Sequence, residues 1–128
     1  MLFYFFNYNS NYGKKMVSRH KEWYVSNAVA IAAAAQSFPL AETGGPTDLD
    51  RREDFPLKNF KVENKSGVAI TLLLDPVGPD STLKFTIPNG QTLTSETQDN
   101  FKFSNMAIIN NGAIEMAIGT LTVNMRNY

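Results

Sequence analysis

The chain has 128 residues, the size of one ordinary domain and enough to bury a hydrophobic core without covalent cross-links. It contains no cysteine, which excludes disulfides, thiolate metal sites and thiol nucleophiles. Twelve basic and twelve acidic residues cancel, so the whole chain lacks the positive excess typical of proteins that bind nucleic acid or acidic membranes.

The N-terminal stretch, MLFYFFNYNSNYGKK, is rich in Phe, Tyr and Asn and carries no charge before Lys14. A secretory signal would place its positive charges before the apolar run, so this interpretation is disfavoured. In an alternative interpretation, the chain starts at Met16 and the preceding residues are an upstream extension. Four basic residues follow the aromatic run and give a weak indication of a partner: Lys14, Lys15, Arg19 and Lys21.

Residues 25–38, VSNAVAIAAAAQSF, predict a short Ala-rich helix, because alanine is the best helix former and Ser26 or Asn27 can cap its start. Pro39 would end it. A membrane anchor is a minority interpretation, since a bilayer span needs about 20 predominantly apolar residues and only residues 28–35 are continuously apolar. A short helix is marginal alone and must pack against a surface, either of its own domain or of a neighbouring subunit.

The next segment, LAETGGPTDLDRREDFPLKN, has the Gly-Gly-Pro breaker and the dense charge of a linker. DLDRRED at residues 48–54 fits neither register of a calcium-binding EF-hand loop, and we predict a solvated loop there. We therefore divide the chain into an N-terminal arm, residues 1–57, and a β-domain, residues 58–128, which we expect to fold without the arm.

The β-domain shows the alternation of apolar and polar residues that half-buried strands require. NFKVEN, GVAITLLLD, TLKFTI, TLTSE, NFKFSN and MAIIN are the first candidate strands. In the last run, AIEMAIGTLTVNMRN, the alternation places Ile114, Met116 and Ile118 on one face, and a bulge at Gly119 shifts it to Leu121, Val123 and Met125. Asn111-Gly112 predicts a tight hairpin with positive φ. Seven or eight such strands predict a mostly β chain folded as a small antiparallel β-sandwich or a small barrel, not a parallel sheet.

No catalytic pattern is present in the sequence. His20 lies in the arm, far from the strands, and the acidic residues of the β-domain show no spacing that selects a catalytic pair. There is no phosphate-binding glycine loop, nucleophile elbow or cluster of metal ligands. We predict a protein that is not an enzyme, with no cofactor, no metal and no small-molecule substrate.

The order of FKVENKSGVAITLLLD, TLKFTIPNGQTLTSE, FKFSNMAIINNG and AIGTLTVNMRN resembles the small β-sandwich and jelly-roll structural proteins of bacterial viruses. These include the vertex (penton) and minor capsid proteins of membrane-containing phages. The matching features are the strand ending at residues 62–64, the IPxGq hairpin at residues 87–91 and the final strand at residues 121–124. The resemblance implies a jelly-roll-like subunit of a virion, of minor capsid, vertex or decoration type, that forms a homo-oligomer and binds other capsid subunits.

The resemblance gives the N-terminal arm a role in assembly, in which it orders on a neighbouring subunit. Ala28, Ala32 and Ala35 recur at helical spacing and would form the docking face, with Ile31 beside them. Lys14, Lys15, Arg19 and Lys21 would lie near the phosphates of an internal membrane or of packaged nucleic acid.

Two alternatives stay open. A carbohydrate-binding or adhesive β-sandwich would use the loops at residues 75–80, 88–91 and 110–112, although their tips carry Pro, Asn, Gly and Asp where that class exposes aromatic residues. A membrane-anchored surface protein would require residues 23–41 to span a bilayer.

Overall fold

The computed structural model describes residues 20–76, 83–99 and 101–128. These residues form a mostly β structure with eight strands and one short α-helix, α1 (Asp48–Glu53). The strands are β1 (Glu22–Ser26), β2 (Gln36–Ser37), β3 (Asn59–Asn64), β4 (Ile70–Leu74), β5 (Leu83–Ile87), β6 (Thr92–Thr94), β7 (Met106–Asn110) and β8 (Leu121–Arg126). Two 3-10 turns, Leu40–Thr43 and Thr97–Asp99, complete the described elements.

The strands form two four-stranded antiparallel sheets, in the orders β1-β8-β3-β6 and β2-β7-β4-β5. Both sheets contribute to one hydrophobic core, in which the ring of Phe60 on β3 lies 5.8 Å from that of Phe85 on β5. The alternation predicted for β3 and β8 is confirmed, because Val62 and Val123 are paired neighbours and both are buried. The predicted mostly β, antiparallel architecture is therefore correct.

Four connections meet at one end of the two sheets, which we call the loop end: residues 27–35, 65–69, 88–91 and 111–120. Gly67 N donates to Asn89 Oδ1 (2.8 Å), and Asn111 N donates to Ala69 O (3.0 Å). These hydrogen bonds join neighbouring connections, so the loop end is a continuous surface.

The helix predicted within residues 25–38 is wrong. Val25 belongs to β1 and pairs with Val123 on β8, residues 27–35 form a loop, and Gln36–Ser37 is strand β2. The advantage of alanine in a helix is below about 1 kcal/mol per residue over ordinary residues. Pairing with β8 and β7 satisfies the strand backbones and buries Val25, and this tertiary gain outweighs the local preference.

Residues 20–57 contribute to both sheets and to the shared core. Their buried apolar side chains are Val25, Ile31, Phe38, Leu40 and Leu57. The expected division between an arm and a domain at residue 58 therefore does not describe residues 20–57, which pack as one body with the later strands. Residues 1–19 lie outside the described part of the chain.

The charged segment expected to be a loop forms α1. Thr47 caps it, accepting from Asp50 N (3.2 Å) while Asp50 Oδ2 accepts from Thr47 N (2.9 Å), which is a capping box. Lys21 Nζ lies 2.9 Å from Asp50 Oδ1 and 3.6 Å from Asp54 Oδ2, and Asp54 is buried. The hydrogen bond from Lys21, assisted by Thr47, lowers the pKa of Asp50 to about 2. Within residues 20–76, 83–99 and 101–128, no helix has the length and apolar content to cross a membrane.

The turn chemistry predicted around β8 also differs in detail. Asn111-Gly112 opens a loop of residues 111–120 instead of a two-residue hairpin, and Gly112 does not have positive φ. Glycine is required there because a Cβ would lie 2.6 Å from Val68 Cβ and would overlap Val68 Cγ1. Gly119 does have positive φ (79°), but it lies in the loop before β8 and not in a bulge within a strand.

Candidate docking surface

Two loops of the loop end, residues 27–35 and 111–120, lie side by side. Ile31 N donates to Met116 O (3.0 Å), and Met116 N donates to Ile31 O (2.8 Å). Both side chains are buried in the core. This isolated bridge fixes the middle of each loop to the other and to the domain.

Asn27 anchors the base of the first loop. Its buried side chain donates from Nδ2 to Ala117 O (2.8 Å) and accepts at Oδ1 from Leu121 N (3.0 Å). The backbone carbonyl of Asn27 accepts from Gly119 N (3.0 Å). A buried amide with its donors and acceptor occupied rigidifies the surrounding backbone, so the start of the first loop is held against the end of the second, where the second enters β8.

Asn110, at the end of β7, also holds the two loops through side-chain hydrogen bonds. Its buried Nδ2 donates to Ile31 O (3.1 Å) and Ile114 O (2.8 Å), and its Oδ1 accepts from Gly112 N (2.8 Å). Asn27, just after β1, and Asn110, at the end of β7, therefore both tie the backbone of the two loops to the strands.

The outer side of these two loops is an exposed apolar surface. Val29 (56 % exposed), Ile114 (59 %) and Ile118 (65 %) are its large side chains. We call it the apolar loop surface, and its members are Ala28, Val29, Ala32, Ala33, Ala34, Ala113, Ile114, Ala117 and Ile118. Glu115 is the sole charged residue in the sequence of the two loops. Contiguous exposed apolar side chains are typical of interaction sites.

The predicted docking residues fall in different places. Ala28 and Ala32 lie exposed on the apolar loop surface, Ile31 is buried beneath it, and Ala35 is half-buried against the core. They do not form a helix face. Lys21 lies just before β1, at the end of the sheets opposite the loop end. Its ammonium group lies between the carboxylates of Asp50 on α1 and Asp54 after it. Lys14, Lys15 and Arg19 lie outside the described residues.

The three large side chains of the surface were missed by sequence reasoning. The alternation placed Ile114, Met116 and Ile118 together in the core, but only Met116 is buried. Val29 was hidden in the predicted helix. The available signal was compositional, because both loops are rich in Ala and Ile, nearly uncharged and begin with Asn.

The cavities near this surface are small. A pocket of about 30 Å³ lies between residues 27–31 and residues 37–43, far below the roughly 300–1,000 Å³ of pockets that enclose small ligands. In the described part of the chain, no group of three or more His, Asp or Glu side chains is close enough to hold a metal ion. The chemistry that this end of the molecule offers is association through apolar contact.

The chain matches no protein-family model, no curated protein and no solved structure.

Proposed function

We propose that this chain is a non-enzymatic structural protein of a virus particle, of minor capsid, vertex or decoration type, that docks on neighbouring subunits through the apolar loop surface. The observation that carries the proposal is the exposure of Val29, Ile114 and Ile118 on loops held by buried hydrogen bonds. The partners are other capsid subunits, including identical copies.

The strand pairing supports a jelly-roll sandwich as the body of this subunit. The pairs β1–β8, β2–β7, β3–β6 and β4–β5 are nested, so the first strand pairs with the last and the fourth with the fifth. Eight strands in two such sheets are typical of jelly rolls, an architecture common to viral capsid and lectin domains. The strand order therefore agrees with the sequence resemblance to phage structural proteins.

The anchoring of the two loops favours assembly over a flexible binding loop. Burial of an exposed apolar surface lowers the free energy of the complex, and a surface already held in one conformation loses little conformational entropy on binding. The exposed side chains at Ala28 and Ala32 are short, so a partner backbone can approach the loop closely at these positions. The docking role that the sequence assigned to a helix is thus assigned to a loop surface.

The role proposed for the basic residues is narrower than the sequence indicated. Lys21 Nζ contacts two carboxylates of its own chain, so its charge is largely compensated. Contact with lipid phosphates or packaged nucleic acid is proposed for Lys14, Lys15 and Arg19 alone.

Sedimentation of the full chain tests association. We expect the wild type to form oligomers as its concentration rises, and an Ile114→Ser, Ile118→Ser variant to remain monomeric with unchanged unfolding. Leu49→Ser is the matched control, because Leu49 is equally exposed (52 %) but lies on α1. A wild type that is monomeric throughout, or a control that dissociates as much as the double variant, contradicts docking through this surface.

The virion assignment needs a separate measurement. Antibodies raised against the purified chain should label nuclease-resistant particles, isolated by density gradient from cultures that carry the gene. Detection of the chain only in the soluble or membrane fraction would contradict a virion location.

A further inference from the structure

The outer face of the sheet β1-β8-β3-β6 carries a groove of about 230 Å³. Unlike the apolar loop surface, this groove is lined mainly by polar and charged side chains. Thr122 and Asn124 on β8 form its floor. Tyr24 on β1 stands on one side, and Lys61 and Glu63 on β3 stand on the other. Since β8 lies between β1 and β3, the two walls are about 9.5 Å apart at the backbone.

Tyr24 is the aromatic side chain that lines this groove. Its side chain is 71 % exposed, on a strand whose Trp23 and Val25 point toward the core. The negative charge of Glu22, and a hydrogen bond between the two side chains, raise the pKa of Tyr24. Asn124 Nδ2 donates to Glu22 Oε2 (3.1 Å), which holds Glu22 beside the ring.

The face continues past Tyr24 to a second aromatic group. Arg126 lies beside Glu22 in the register, and its guanidinium is 5.4 Å from the ring centre of Tyr128. Tyr128 stacks on His20, with ring centres 4.7 Å apart. Tyr128 follows Asn124, the partner of Tyr24, by four residues, so the two aromatic groups lie about 13 Å apart along an extended strand.

The charges of this face balance. Lys61 pairs with Glu63 (3.8 Å), and Arg126 lies opposite Glu22. A polyphosphate or a strongly acidic peptide would need a positive excess, which this face does not have. A neutral ligand rich in hydroxyl groups matches it, because amide, carboxylate and guanidinium groups bond hydroxyls and an exposed ring accepts an apolar C–H face.

We propose that this groove binds a neutral oligosaccharide chain, which lies along β8 with one sugar ring on Tyr24 and the chain running toward Tyr128. The groove is too shallow to enclose a ligand, so binding depends on successive weak contacts along the chain. The proposal is independent of the assembly role, and it places a glycan site on a sheet face and not on the loop tips considered from sequence.

The test is titration of the full chain with neutral hexasaccharides of β-1,4-glucose, β-1,4-N-acetylglucosamine, β-1,4-mannose and α-1,4-glucose, followed by calorimetry and amide chemical shifts. We expect saturable binding of at least one hexasaccharide, with shifts at Tyr24, Thr122 and Asn124. Tyr24→Ala should weaken it about tenfold, the effect of losing one aromatic contact, while Tyr24→Phe keeps the ring and should retain most of the affinity.

The controls separate this site from assembly. Leu49→Ala and the Ile114→Ser, Ile118→Ser variant should bind the hexasaccharide as the wild type does. Four results would overturn the proposal: no binding of any of these probes up to about 10 mM, affinity unchanged by Tyr24→Ala, stronger binding of sulfated than of neutral hexasaccharides, or Tyr24→Ala abolishing self-association without altering sugar binding.

Discussion

Residues 20–57 and residues 58–128 share the same two sheets but enter them differently. The later region supplies the four interior strands, β8 and β3 in one sheet and β7 and β4 in the other. The earlier region supplies β1 and β2, each at a sheet edge with one neighbour, together with α1 and buried side chains from its loops.

This difference shows that the strands of the earlier region do not pair with each other. β1 pairs with β8 and β2 with β7, so each strand depends on a partner from the far part of the chain. The later region depends on the earlier one for covering its core, through Ile31, Phe38 and Leu40. The two regions therefore stabilise each other and should unfold together. Two experiments test this dependence, and two more test contacts inside each region.

The largest effect is expected from removal of the earlier region. A fragment of residues 56–128 loses an edge strand from each sheet and exposes core residues such as Met116, so we expect it to lose cooperative unfolding. Near-ultraviolet circular dichroism during urea titration measures this. A fragment of residues 20–128 retains every described strand and is the control. Cooperative unfolding of residues 56–128 would show that the later region is a domain by itself, as the sequence indicated.

Asn110→Ala cuts one link between the regions, because Asn110 Nδ2 donates to Ile31 O. We expect a loss of about 3 kcal/mol in the free energy of unfolding, since Ile114 O and Gly112 N lose their side-chain partner and Ile31 O keeps only its bond from Met116 N. Asn111→Ala is the matched control, an exposed neighbour bonded to Thr71 Oγ1, and should cost below about 1 kcal/mol. Equal losses in urea denaturation would mean that Asn110 does not hold the two loops.

Gly112→Ala tests packing inside the later region. The added Cβ would overlap the Val68 side chain, and we expect a cost of about 2 kcal/mol. Val68→Ala removes Cγ1 but keeps the Cβ that would lie 2.6 Å from the new methyl group, so in the double variant the cost of Gly112→Ala should fall without disappearing. Additive losses in a double-mutant cycle would place the strain elsewhere.

Asp50→Asn tests a contact inside the earlier region and should have the smallest effect, about 1 kcal/mol at neutral pH. Because the folded-state pKa of Asp50 is lowered from 3.8 to about 2, its contribution is complete above 3.8 and is lost as pH falls toward 2. The wild type should therefore lose more stability than Asp50→Asn across this range of pH.

Urea midpoints measured at a series of acidic pH values test this difference. Asp48→Asn, in the same helical turn but exposed, is the control and should follow the wild type. An Asp50→Asn profile that parallels the wild type would show that the Lys21 contact contributes nothing to folding.

The apolar loop surface was only partly predictable. Ala28 and Ala32 were selected for their helical spacing and lie exposed on this surface, although the segment is not a helix. Ile114 and Ile118 were placed inside because two-residue alternation does not distinguish a strand from a loop that touches the core once, at Met116. The exposure of Tyr24 was not predictable from the sequence, since it depends on which face of β1 turns toward the core.

The sequence by itself determined the mostly β character and the inward side chains of the later strands, such as Val62, Leu72 and Val123. Alternation is a local property, because successive side chains of a strand point to opposite faces whatever the partner. Only the tertiary structure decided that residues 22–37 are edge strands joined by a loop and not a helix. Alanine favours the helix by a small local free energy, whereas pairing with β8 and β7 and the buried amides of Asn27 and Asn110 act across nearly the whole described chain.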